Sequence, residues 1–486
     1  MPVKLTGRTF VIGIFFACDI IMNIVKIYKS KEDTMEQDMT KGKIFPLIIK
    51  FMIPLLIGDV FQMLYNMVDT IIVGRFVGAD ALAAVGSTGG LMYLIGGFAI
   101  GITAGFTVLT SQRYGAGDRD GVKVSVAAGI ELGFALSVIL TFLFWAFAPQ
   151  ILRLMNTPAS VFPMALDYIR IICLGTLCTV FYNLFSAFLR AVGNSRAPLY
   201  FLVFSACLNV GLDLLFIIKF HAGVNGAAAA TILSQGISAV LCAIYSAMRV
   251  PVLIPRRTHW RPRRKPILFE IKMGLPMALQ YAITDSGIMI MQAAINLFGA
   301  DAVASFTAAS KIQNILMQGM IAMGQTMATF CGQNAGAKDL GRIREGIKIS
   351  VIVEVIYSAA AMMLMLLPLH IFMRLFFPSG ADLSRMMPWA LTYARISIPC
   401  YIPLAMIFIF RSSMEGCGYA MLPLICGLTE LAARGGTAAL GIHLHSYAVS
   451  CACDPAAWLL AGVMSILIFV WMYRDIAKKS NDLHYI

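Results

Sequence analysis

The chain has 486 residues, 59% of them hydrophobic and 13% charged, with a mean hydropathy of +0.80. A soluble globular chain carries roughly 25% charged residues, so this composition excludes a protein that stays dispersed in water and points to a polytopic membrane protein. The net charge of +13 does not indicate a nucleic-acid partner, because the positive residues sit in loops and tails between apolar tracts, where cytoplasmic loops of membrane proteins collect them.

Residues 1–40 read as an N-terminal extension. Within it, Phe10 to Val25 is apolar but short and interrupted by Asp19. No small-residue cleavage site follows, and the Lys-rich stretch after it has a cytoplasmic character. An interfacial helix is the preferred reading, with a thirteenth span as the alternative. The functional chain is expected to begin near Met35, leaving 1–34 dispensable.

Twelve apolar tracts follow, most of them meeting the roughly 20 residues that a spanning helix needs. The first six are 46–74, 82–110, 124–148, 163–189, 198–219 and 224–248. The second six are 269–297, 303–330, 347–367, 388–413, 420–442 and 447–473. This gives an N-lobe over 41–250, a basic linker over 251–268, a C-lobe over 269–474 and a tail over 475–486. The expected fold is all-α, with twelve transmembrane helices.

The two sets of six match. Gly78-Ala79-Asp80 recurs as Gly299-Ala300-Asp301. At the same separation, Gln112, Gly115, Ala116 and Asp118 recur as Gln333, Gly336, Ala337 and Asp339. Further on, Tyr168, Arg170, Gly193 and Pro198 match Tyr393, Arg395, Gly418 and Pro423, with a small insertion between. Six spans return the chain to its starting side. The halves are therefore parallel repeats about an axis along the membrane normal, with a cavity between them.

Orientation follows from the basic loops. Lys41, Lys43 and Lys50 precede span one; Arg113, Arg119 and Lys123 lie between spans two and three. Arg190 and Arg196 follow span four, and Arg256, Arg257, Arg261, Arg263, Arg264 and Lys265 fill the linker. Lys338, Arg342 and Arg344 repeat the pattern, and Lys478 and Lys479 end the chain. All lie on one side of twelve spans, so both termini of the core are expected in the cytoplasm of a bacterial-type inner membrane.

Polar residues inside the spans carry the functional information, because charges at membrane depth face a cavity or a partner. Asp59, Gln62, Asn66 and Asp69 in span one are spaced as one helical face. Ser205, Asn209 and Asp213 share a face of span five, Thr231 and Gln235 a face of span six, and Thr179, Asn183 and Ser186 a face of span four. A cluster of Asp69, Asn209, Asp213 and Thr231 offers only oxygen and amide ligands, which suits protons or a hard monovalent cation such as Na⁺. Two carboxylates in one poorly hydrated site do not both ionise easily. Asp59, nearer the basic end, reads as solvated. In the second half, Gln280, Asp285, Gln292 and Asn296 mark span seven, and Lys311, Asn314, Gln318 and Gln325 mark span eight. Arg395 and Arg411 lie on span ten, and Glu430 and Arg434 on span eleven. Ion pairing or a hydrated wall explains most of these. Gln62, Asn66, Asn183, Asp285, Gln292 and Gln318 are the candidate lining of a substrate cavity. The cysteines show no metal-ligand spacing and read as packing residues.

Tyr65-Asn66-Met67-Val68-Asp69-Thr70-Ile71-Ile72-Val73-Gly74, followed by Gly78-Ala79-Asp80-Ala81-Leu82-Ala83-Ala84-Val85-Gly86, resembles the first-helix signature of the multidrug and toxic compound extrusion (MATE) family. Gln112-Arg113-Tyr114-Gly115-Ala116-Gly117-Asp118, Arg190 to Pro198, and Asn209-Val210-Gly211-Leu212-Asp213 resemble further family motifs. The resemblance covers about residues 40–475. It implies a V-shaped pair of lobes exporting amphipathic, often cationic compounds in exchange for inward H⁺ or Na⁺, with no cofactor, and a monomer in the bilayer. It also implies that Asp69, Asn209, Asp213 and Thr231 form the N-lobe cation site found in some subgroups. Other members use acids in spans seven and ten. Asp285 could match the first, but span ten has no carboxylate before Glu415, so coupling is expected through the N-lobe.

Two other functions compete. A flippase for lipid-linked sugars would have a larger and more basic cavity. A membrane-embedded enzyme would need catalytic groups at defined depth. Yet His221, His259, His370, His443, His445 and His484 all fall in loops or near span ends, and no His-Glu-x-x-His motif is present. The chain is read as a transporter and not an enzyme.

Overall fold

A computed structural model describes residues 37–155, 157–261, 263–366, 369–376 and 383–482. The expectations for 1–34, including the apolar run from Phe10 to Val25, lie outside the described residues. Among those described, the regular structure is helical.

Span one is Ile44–Phe76, span two Ala79–Gly115 and span three Arg119–Leu154. Span four is Phe162–Leu174 and Thr176–Ala191, bent by 47° at Gly175. Span five, Arg196–Leu214, runs into a π-helical turn, Leu215–Lys219, and span six is Gly223–Arg249. The second half repeats this order. Span seven is Arg264–Ile295, span eight Ala300–Gly336, and span nine Leu340–Leu366 with Leu369–Phe376 after it. Span ten joins Leu383–Ser397 to Tyr401–Gly416 through a 3₁₀ turn at Ile398–Cys400, where Pro399 removes an amide donor. Span eleven is Met421–His443; a short helix, Tyr447–Cys451, leads into span twelve, Cys453–Asp482.

Eight of these helices, or nine counting the bent span four, are long and apolar enough to cross a membrane. Spans seven, eight and eleven are more polar. They carry Gln280 and Asp285, Lys311 through Gln325, and the Glu430–Arg434 pair. Spans two and eight each have 37 residues, about 55 Å of helix against a hydrocarbon core of roughly 30 Å. Their last turns therefore project beyond lipid at the end that bears the basic loops.

The backbone repeats with the sequence. Gly78 and Gly299 both open a helix at positive φ, +125° and +88°. Gly193 and Gly418 take +86° and +92° at the turn after spans four and ten. Pro54 and Pro276 sit buried inside unbroken helices at matching places in spans one and seven.

Each lobe lends part of its first span to the core of the other. Met39, Ile44, Ile48, Phe51 and Leu55, which lead into and begin span one, belong to the C-lobe core with Phe330, Ile343 and Ile347. Ala278 of span seven belongs to an N-lobe core with Ile102, Phe106 and Phe188. The lobes meet at the basic-loop end and splay toward the other, where Gln62 and Asn66 on the polar face of span one are exposed. The outline is a V.

Candidate functional site

The Asp69, Asn209, Asp213 and Thr231 set converges in the wall of the N-lobe. Asp213 and Asn209 are fully buried, and Asp69 is half-buried. The Asp69 and Asp213 carboxyls are within hydrogen-bonding reach of each other, so a single proton can bridge them. Asn209 Nδ2 donates to Thr231 Oγ1 at 3.3 Å, and Thr231 donates to the Ala227 carbonyl at 3.0 Å. Asp69 Oδ1, Asn209 Oδ1 and both carboxylate oxygens of Asp213 are left without a donor. Four unsatisfied oxygens on one wall are costly to bury unless a proton or cation joins them. The apolar surround includes Ile72, Val73, Ile172 and Leu214.

Two tyrosines complete this wall, and the sequence reading assigned neither of them a role. The Tyr65 hydroxyl is within hydrogen-bonding reach of Thr231, and Tyr168 faces both carboxyls. The four-residue step from Tyr65 to Asp69 puts both on one helical face, which is the signal for the first. Tyr168 has no comparable signal.

A second polar group lies at the floor of the cleft. Asp59 Oδ2 accepts from Gln325 Nε2 of span eight at 3.3 Å, and Arg190 of span four stands near enough to act on it. Asp59 is therefore tied across the lobes instead of simply solvated. Gln62, Tyr182, Asn183, Ser186 and Arg190 line a cavity of about 60 Å³ here, so two of the candidate cavity residues, Gln62 and Asn183, come together. Asn66 is exposed on the same face. Gln292 bonds Asn296, just past the end of its helix, at 2.8 Å, and Gln318 bonds the Asn314 carbonyl of its own helix at 3.1 Å.

Asp285 faces Gly97 of span two, with Arg434 as its nearest cationic influence. Arg434 is the hub of a buried network. It forms an ion pair with Glu430 at 2.8 Å and donates through Nε to Asp454 of span twelve at 2.7 Å, and Arg411 approaches Glu430 at 3.8 Å. Glu430 and Asp454 are thus met by a fixed guanidinium group. Glu415, expected at a loop end, is buried and accepts from Gln280 Nε2 at 3.2 Å.

The basic end is sealed by a near-symmetric contact. A methyl group at Gly115 would overlap the Gln333 carbonyl, and one at Gly336 would overlap the Gln112 carbonyl. Gln112 Nε2 donates to the Gly416 carbonyl, and its repeat counterpart Gln333 donates to Ala191, each at 2.9 Å. Gln333 Oε1 also accepts from the Met39 amide at 2.9 Å. Arg342 donates to the Met39 and Gly42 carbonyls at 3.0 and 2.9 Å. Residues 37–42, which straddle the expected end of the extension, are thus anchored to the C-lobe.

Comparison with known proteins agrees with this architecture. The MatE family profile matches residues 54–215 and 276–432. The chain is 30% identical over 308 residues to the probable multidrug resistance protein YpnP of Bacillus subtilis (strain 168), covering 63% of this chain and 68% of that one. It is 24% identical over 397 residues to the FAD transporter of Shewanella oneidensis, covering 79% and 85%. Among solved structures, the outward-facing conformation of a multidrug resistance MATE family transporter of the MOP superfamily superposes with a TM-score of 0.84 at 22% identity, over 92% of this chain and all of that one. MATE in the bent conformation gives 0.85 at 21% identity, over 93% of this chain and 100% of that one. The matched profile spans both lobes and includes three of the four residues of the N-lobe wall, and the chain belongs to the MatE family.

Proposed function

We propose that this protein is a secondary antiporter that exports amphipathic, often cationic small molecules in exchange for inward H⁺ or Na⁺, by alternating access of a cleft between the lobes. The observation that carries the proposal is the buried Asp69–Asp213 pair with its unsatisfied oxygens. The pair can take up one proton or one small cation and give it back when its surroundings change. Multidrug resistance proteins among the relatives support the substrate class. With the basic loops in the cytoplasm, this form is closed inward and open outward, the form in which the pair loads from outside. Asn209, Thr231 and Tyr65 would hold the loaded ion by oxygen contacts. Loading would change what the wall presents to the cleft and so favour release of the exported compound.

The reading for a lipid-linked sugar flippase has less support, because the one base lining the cleft-floor cavity, Arg190, stands beside an acid, Asp59. The test is efflux from proteoliposomes under separately imposed proton and sodium gradients. Asp69→Asn and Asp213→Asn should each abolish gradient-driven efflux per correctly inserted molecule. Asp285→Asn should have a smaller effect, because Arg434 already acts on Asp285 as a fixed cation. Normal specific efflux in Asp69→Asn would end the proposal.

A further inference from the structure

Glu270 is a fully buried acid that the N-lobe site does not use. It lies one turn and a half into span seven, toward the sealed end, and faces across the seam between the lobes. Ser125 Oγ of span three donates to Glu270 Oε1 at 2.9 Å. Ser125 also bonds Thr110 of span two at 2.7 Å, and both hydroxyl residues are fully buried. Glu270 Oε2 has no partner. It points at Gly129 of span three, where a Cβ would stand 3.5 Å away, with the Phe188 ring alongside. The charged group acting on it is Glu131 of span three, another acid. No cation compensates it among the described residues.

The seam here is tight. A methyl group at Gly105 of span two would overlap Gly274 of span seven, and one at Gly101 would come within 2.8 Å of the Ala278 Cα. No water-sized gap separates backbones packed this closely. Inward opening must part spans two and three from the start of span seven, and would carry Glu270 from an apolar contact into water.

We propose that Glu270 is a proton-operated latch on the inward closure, a role that rests on the alternating-access reading above. An ionised carboxylate with one hydroxyl donor and no counter-ion is costly to bury, and a neutral carboxyl much less so. The closed seam therefore holds Glu270 with its proton on Oε2. When the seam parts, the O–H bond breaks, the electron pair stays on the carboxylate and the proton passes to cytoplasmic water. Closing takes a proton back from the same side. The latch carries no net charge across the membrane; it makes closure depend on cytoplasmic pH. The closed form binds one more proton than the open form, so the closed-to-open ratio falls as pH rises, by up to about tenfold per pH unit.

The test uses the full chain in nanodiscs, with Cys18, Cys178, Cys207 and Cys417 replaced by alanine. Spin labels go on Arg119→Cys and Lys338→Cys, exposed positions in the two equivalent loops of the sealed end. The distance distribution is read from acidic to alkaline pH without substrate or gradient. The parent should lose its short-distance population as pH rises. Glu270→Gln should keep the short distance at every pH, and Glu270→Leu provides a second neutral side chain should the glutamine variant fold poorly. Asp69→Asn should keep the parental pH response. A pH response unchanged in both Glu270 variants, or absent from the parent, overturns the latch. Loss of the response in Asp69→Asn with its retention in Glu270→Gln would assign it to the coupling pair, overturning the latch and leaving the transport reading intact.

Discussion

Asp69 and Asp213 come from helices far apart in sequence, and their chemistry depends on a wall in which, among the described residues, no basic side chain acts on them. Arg434 in the other lobe shows the contrast: there, acids of two helices close on one guanidinium and leave little for a mobile ion to do. Tyr65 contributes one hydroxyl to Thr231. Tyr65→Phe should weaken ion binding by about 1 kcal/mol, near fivefold, as expected for one hydrogen bond. The ion concentration giving half-maximal efflux measures this, and an unchanged value would remove Tyr65 from the site. Outside the membrane, Asp118 caps span three. It accepts from the Gly121 amide at 2.8 Å and from Arg113 at 2.6 Å. The Gly121 amide first, then Arg113, hold its carboxyl below the usual range. A depressed value in the folded state means the stabilisation is present above the unfolded value and is lost as pH falls through the folded one. Asp118→Ala should therefore cost about 1 kcal/mol at neutral pH, and the difference should vanish in strong acid. Thermal unfolding in detergent at both pH values reads it.

At the scale of helices, the seal made by spans two and eight needs two residues without side chains. Gly115→Val or Gly336→Val should still insert, since the clash lies beyond lipid, but should prevent closure. The labels at Arg119→Cys and Lys338→Cys would then stay far apart, and gradient-driven efflux would fall below a tenth of the parent's. Normal efflux in either variant would show that the seal is dispensable. Gln333→Ala should impair more than Gln112→Ala, because Gln333 holds Ala191 and Met39 while Gln112 holds Gly416 alone. The residues of this seal are visible in the sequence as a repeated Gln and Gly, though their purpose is not. Apolarity defines a span only while it stays in lipid, so span two was expected over 82–110 and runs over Ala79–Gly115. The same limit applies to the acids. Helical periodicity places Asp69, Asn209, Asp213 and Thr231 on polar faces, and the convergence of those faces follows from packing a six-helix lobe. Periodicity cannot reach Ser125 and Glu270, 145 residues apart, because their pairing depends on how one lobe lies on the other. Asp59 read as solvated for the same reason: Gln325, its partner, is 266 residues away.

For the whole molecule, the basic loops set the expected orientation. A cysteine at Arg263 should resist an impermeant reagent outside intact cells, and one at Ala79 should react; the reverse pattern would invert the topology. Deleting 1–34 should leave insertion and efflux intact. Extending the deletion through Gly42 should not, because it removes the carbonyls that Arg342 and Asn334 hold. Efflux per inserted molecule for the two truncations separates a spare leader from an anchored strap.

That strap has a consequence for how the protein is made. The residues before span one find their partners at Gln333, Asn334 and Arg342, near the end of span eight and the start of span nine. A ribosome must therefore synthesise about two thirds of the chain before residues 37–42 can settle. Until then the N-lobe sits in the membrane with its opening turns uncovered, much as one half of a zip hangs loose before the slider arrives. Closure of the inward side is thus a late event of synthesis. A chain interrupted before span eight should leave a lobe open to the cytoplasm, where quality-control proteases can recognise it.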